Sequence, residues 1–137
     1  MVIIGSSFTK INVEKKASVK GKINISNSAA IKSVEEYPLP AKTNQKGLKF
    51  TFGFVSKYEP KIAEINIEGN VILLVDAKKG EEVLNGWKKD KKIPKEIMTP
   101  ILNTALTKSN IQALILSQEM GLPAPIPLPK IKIEPKT

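Results

Sequence analysis

Glu64 and Glu68 are the nearest approach in this sequence to a paired-carboxylate site, and they stand too far apart to be one. On an extended strand they share a face, but four residues at ~3.3 Å each separate them by ~13 Å, beyond the reach of acid–base work on a single bond. Glu35-Glu36 and Glu81-Glu82 are sequence neighbours that read as solvated pairs. The missing residue types exclude more. The 137 residues contain no His, no Cys and no Arg, so all 22 basic residues are lysines. Without imidazole or thiolate there is no conventional zinc site, no base to activate Ser or Thr, and no disulfide. Gly5, Gly53, Gly69 and Gly80 are isolated and build neither a Walker loop nor a dinucleotide fingerprint. The sequence predicts a protein that is not an enzyme and uses neither cofactor nor metal.

Set against 13 acids, the lysines leave a net charge of +9. Lys78-Lys79, Lys88-Lys89 and Lys91-Lys92 cluster around Trp87, a ring able to stack on a base. That pattern suits a Lys-rich nucleic-acid-binding module. It equally suits a solvated surface with Trp87 anchoring a loop, and the second reading is favoured because Arg, the usual partner of bases and phosphates, is absent.

These residues must be positioned by one domain, residues 1–137, of α+β class. The strongest element runs from 48 to 54, where Leu48, Phe50, Phe52 and Phe54 alternate with polar or small residues and share one face of a strand. A loop over 56–60 leads to a second alternating run, 61–75, with Ile65, Ile67, Val71, Leu73 and Val75 in phase. The two pair most simply as an antiparallel hairpin. Weaker alternation over 8–13 and 19–25 supplies two more strands, giving a four-stranded antiparallel sheet within residues 1–75, with a long connection over 37–47. Residues 81–87 read as a single helical turn.

From 93 to 120 the period becomes helical. Ile97, Met98, Ile101, Leu102, Ala105, Leu106, Ala113, Ile115, Leu116 and Met120 fall on one half of the circumference, with Asn103, Thr107, Asn110 and Ser117 opposite. Pro100 is either the first helical residue behind a Thr99 cap or the site of a kink. Gly121 closes the helix. An apolar face this wide exceeds what one sheet needs, so Ile97, Ile101, Leu102, Leu106 and Ile115 are candidates for an interface in a homo-oligomer, a dimer or tetramer.

The segment 122–133 is the most distinctive. Pro123, Pro125, Pro127 and Pro129 alternate, stripping one edge of an extended chain of its donors and leaving Ala124, Ile126 and Leu128 to pair on the other. This is either a blocked edge strand or a polyproline linker. Ile131 and Ile133, alternating with lysines, suit the strand. The N-terminal Val2-Ile3-Ile4 run is too short for a signal peptide, and no stretch approaches the ~18 apolar residues of a membrane span. A cytoplasmic protein without membrane contact is expected.

The order of four strands, long helix and Gly-Leu-Pro segment resembles the SecB-like chaperone fold. Phe8-Thr9-Lys10-Ile11-Asn12-Val13-Glu14 is similar to the family's first-strand segment. Met120-Gly121-Leu122-Pro123-Ala124-Pro125-Ile126-Pro127-Leu128-Pro129 is similar to its post-helical segment. The resemblance implies an ATP-independent holdase that binds unfolded or extended apolar polypeptide in surface grooves and assembles as a dimer of dimers. Phe50, Phe52, Phe54, Trp87, Ile126 and Leu128 are the groove candidates. SecB itself is acidic, whereas this chain is basic, and where the family continues into a further helix and an acidic tail this sequence reads Lys130 to Thr137. A partner other than the export motor is therefore expected, such as a toxin or a single client; a structural subunit of a larger complex is the remaining alternative.

Overall fold

The computed structural model describes residues 2–18, 21–39 and 44–125. Four strands, β1 (Val2–Lys15), β2 (Asn24–Tyr37), β3 (Gln45–Glu59) and β4 (Ala63–Asp76), are followed by helices α1 (Ala77–Asp90) and α2 (Lys95–Glu119). The strands form one antiparallel sheet in the order β1-β4-β3-β2, so the alternating hairpin is central and the two weaker strands are its edges. Both helices lie on one face. On that face β3 contributes Leu48, Phe50, Phe52, Phe54 and Tyr58, and β4 contributes Ile65, Ile67, Val71, Leu73 and Val75, all buried. The alternate residues of β4, Glu64 to Leu74, face the open side and are half-exposed. The α+β architecture is the one expected.

The core divides in two along the sheet. One half gathers Leu48, Phe50, Phe52, Val71 and Leu73 under Val83 of α1 and Ile97 and Ile101 of α2. The other gathers Phe54, Tyr58, Ile65 and Ile67 under Ala113 of α2 and Leu122 beyond it. Phe52 lies opposite Gly69 in the β3–β4 ladder. A methyl group at Gly69 would stand 2.8 Å from the Phe52 ring and 2.5 Å from the Ser7 carbonyl oxygen, so the ring occupies the space a side chain would need.

Several local expectations are corrected. Strand β2 covers 24–37 rather than 19–25, because its apolar residues Ile25, Ala29, Ile31 and Val34 change phase at a register shift between Ile31 and Ser33. Strand β1 begins at Val2, its period disturbed by shifts at Ile3/Gly5 and Phe8/Lys10. Strand β3 continues through 56–59, where the sequence predicts a loop. Residues 81–87 belong to a 14-residue helix.

Helix α2 starts at Lys95 behind Pro94, so Thr99 is not a cap and Pro100 lies inside, leaving the Glu96 carbonyl without its helical donor. The buried stripe of α2 is Ile97, Ile101, Ala105, Ser109, Ala113 and Ser117, one residue every four. Ser117, expected on the solvent side, is therefore inside, its hydroxyl donating to the Leu114 carbonyl at 2.8 Å. Gly121 ends the helix as expected. With φ at +65°, it allows Leu122 N–H to reach Ser117 O at 2.8 Å and its own N–H to reach Gln118 O at 3.2 Å.

The hydroxyls of Ser56 and Ser109 are buried without a hydrogen-bond partner among the described residues. Burying an unpaired hydroxyl costs about 1–3 kcal/mol, so each Ser→Ala replacement removes a penalty rather than a bond. Ser56→Ala and Ser109→Ala will each raise the unfolding free energy by about 1 kcal/mol, read from the urea midpoint at unchanged slope.

Candidate functional site

The chain places more apolar surface on α2 than the sheet covers. Ile111-Gln112-Ala113-Leu114-Ile115-Leu116 is apolar around almost the whole helix, and only part of a helix can face inward. Ala113 takes the buried position. Ile111 and Ile115 are left 56% and 49% exposed, among the largest apolar exposures in the described chain. Beside them the chain turns back at Gly121, and Leu122 and Ala124 form the opposite wall of a groove of about 410 Å³ floored by Leu114, Ser117 and Gln118.

Three side chains from the sheet hold that wall in place. The Tyr58 hydroxyl donates to the Pro123 carbonyl at 2.6 Å, and Asn27 Nδ2 donates to the Pro125 carbonyl at 2.9 Å. Lys15 Nζ donates to the Met120 carbonyl at 3.0 Å, setting a cation at the negative end of α2, whose own last turn has no basic residue. Leu122 and Pro125 are buried and Pro123 is exposed.

Burial pushes the Tyr58 phenol up to about 12 from an ordinary value of 10.0. In the folded protein it therefore stays neutral where the unfolded chain has begun to ionise. Its contribution is complete below pH ~10 and is lost as pH rises from ~10 towards ~12. Tyr58→Phe will cost about 1 kcal/mol at neutral pH, because the Pro123 carbonyl loses its donor, and the gap between the two proteins will close across that alkaline window. Urea titrations of both proteins at stepped pH measure it.

The residues expected at a site scatter. Phe50, Phe52 and Phe54 are fully buried beneath the helices and offer no surface; they are core, because the face on which they alternate is the covered one. Ile97 and Ile101 are likewise buried against the sheet. Leu102 and Leu106 are half-buried, Leu106 packing on the second core cluster. Ile115 lies in the groove. Trp87 is half-buried against the first core cluster, with Lys91 Nζ 5.1 Å from the ring centroid, which leaves that face of the ring covered. Ile126 and Leu128 lie outside the described residues, as does most of the 122–133 segment. Its described part, 122–125, is in no strand and is held through side chains instead. Sequence reading missed Ile111, Leu114, Leu122 and the anchors Tyr58 and Asn27; the unbroken apolar run at 113–116 was the available signal.

A second concavity, of about 180 Å³, lies on the open face over Gly53, with Lys10, Lys32, Asn12, Asn66 and Glu68 around it. Glu68 is already paired with Lys32, whose hydrogen bond holds the carboxyl below its usual range. It offers no free acid–base pair. On α1, Lys79 is shared between Glu82 and Glu96. Among the described residues no group of three or more His, Cys, Asp or Glu is gathered, and no helix is long and apolar enough to cross a membrane.

No protein-family model matches the sequence, and no curated protein matches it by sequence. Solved structures do match in fold. One is a Mycobacterium tuberculosis SecB-like chaperone in complex with a ChAD peptide from the HigA1 antitoxin. It aligns with a TM-score of 0.59 at 10% identity, over 96% of this chain and 89% of that one. At that identity the likeness is one of fold.

Proposed function

We propose that this protein is a SecB-like, ATP-independent polypeptide-binding chaperone that holds unfolded or extended apolar segments in the groove between α2 and residues 122–124. The observation that carries the reading is the groove itself. Ile111 and Ile115 are large apolar side chains standing exposed beside it on α2, facing a wall fixed by three hydrogen bonds. Binding of this kind needs shape and apolar area and no reactive side chain, which agrees with a sequence lacking His, Cys and Arg. The likeness of fold to a chaperone that binds an antitoxin peptide supports the same reading. Within it, the protein acts in the cytoplasm as a homo-oligomer.

The test is salt dependence. Apolar capture holds or strengthens as salt rises, whereas lysine–phosphate attraction falls steeply through counterion release. Uptake of a permanently unfolded, carboxymethylated protein will persist from about 50 to about 500 mM salt, while uptake of single-stranded RNA will collapse over that range. Salt-resistant RNA binding without uptake of the unfolded chain would overturn the proposal in favour of a nucleic-acid module.

A further inference from the structure

Along residues 121–125 nearly every backbone donor is spent or absent. Gly121 N–H and Leu122 N–H bond back to Gln118 O and Ser117 O, closing α2. Pro123 and Pro125 have no N–H. That leaves the Ala124 N–H, and neither it nor the Ala124 carbonyl has a hydrogen-bond partner among the described residues. Leu122 and Ala124 each precede a proline, which disfavours helical backbone and holds both extended. In an extended chain successive residues present their N–H and C=O groups to opposite edges. The carbonyls of Pro123 and Pro125 are turned onto Tyr58 and Asn27. The polar pair of Ala124 is thereby turned away from those anchors, in a residue that lines the groove.

Charge adds a second constraint. Lys15 sits on the Met120 carbonyl at one end of the groove, and Lys108 stands exposed one turn before Ile111 on α2. The chain as a whole carries +9. We infer that the groove takes an extended apolar peptide with acidic flanks, which pairs its backbone with Ala124. This rests on the polypeptide-binding reading and adds register and sign to it. One residue of the peptide donates its N–H to the Ala124 carbonyl and accepts from the Ala124 N–H. On that edge the pairing cannot be repeated towards α2, because the next residue, Leu122, already spends its N–H on the Ser117 carbonyl. The closing turn of α2 thus ends the pairing at Ala124 on the helix side.

Ala124→Pro tests this in the intact chain. Ala124 is not among the residues with positive φ and its N–H bonds to nothing described, so the variant is expected to fold with an unchanged or slightly raised Tm. Measured by fluorescence anisotropy with a labelled Leu/Val peptide flanked by glutamates, it will bind about tenfold more weakly, while Ala124→Ser, which keeps the N–H, stays within about twofold. Independently of any variant, N-methylation of the peptide amides one at a time will weaken binding to the native protein at one position. A lysine-flanked version of the same peptide will also bind more weakly. Native-like affinity of A124P, or indifference to N-methylation at every position, would overturn the backbone bridge and leave polypeptide binding standing. Equal affinity for lysine flanks would overturn the charge preference. Absence of binding by the native protein to either peptide and to the unfolded probe would remove the polypeptide-binding reading itself.

Discussion

Phe52→Ala will lower the unfolding free energy by about 3–5 kcal/mol, because the ring is 1% exposed and fills the space over Gly69 at the centre of the sheet. Losing it leaves a cavity that the neighbouring strand cannot collapse into, since Gly69 has no side chain to move. An urea titration gives the number directly. The same variant also decides between two roles for the three phenylalanines. A groove residue loses binding while the protein stays stable; a core residue loses stability, and binding follows only as the folded fraction falls. The second outcome is expected for Phe52, and likewise for Phe50 and Phe54.

The largest effect on binding is expected from Ile111→Gln combined with Ile115→Gln. Both side chains are about half-exposed on the outer side of α2, and glutamine is a good helix former, so stability will change by no more than about 0.5 kcal/mol. Each isoleucine has about half its surface left to bury against a bound segment, worth about 1 kcal/mol. Together they will weaken uptake of unfolded polypeptide roughly thirtyfold. Full-strength uptake by the double variant would place the binding surface elsewhere on the molecule.

These two predictions mark where the sequence was readable. Period-two alternation carried β3 and β4 because both are central strands with one covered face, and helical period carried α2 for the same reason. The edge strands were harder. In β1 and β2 a bulge shifts the phase partway along, so no window long enough to score keeps a single period. Helix α1 hid behind its lysines, glutamates and two glycines, being held by little more than Val83, Leu84 and Trp87. The site was less legible than the fold. Phe50, Phe52 and Phe54 stood out as aromatic and alternating, but alternation shows only that they share a face, and that face turned out to be the covered one. Ile111 and Leu114 fall outside the half-circumference stripe that helical periodicity picks out. Ile115 lies inside that stripe and is exposed all the same, because the sheet buries only one residue in four along α2. The anchors Tyr58 and Asn27 meet the post-helical segment across 65 and 98 residues of chain, a pairing that only the folded topology brings about.

In the proposed function, unfolded polypeptide binds along α2 and the wall after it. Methyl NMR of the full chain, labelled at Ile, Leu and Ala and titrated with the carboxymethylated unfolded protein, tests it most directly. Shifts are expected at Ile111, Leu114, Ile115, Leu122 and Ala124, with Ile72 and Leu74 on the open face unmoved. Shifts confined to Leu84 beside Trp87 and the α1 lysines, with the groove methyls silent, would contradict it.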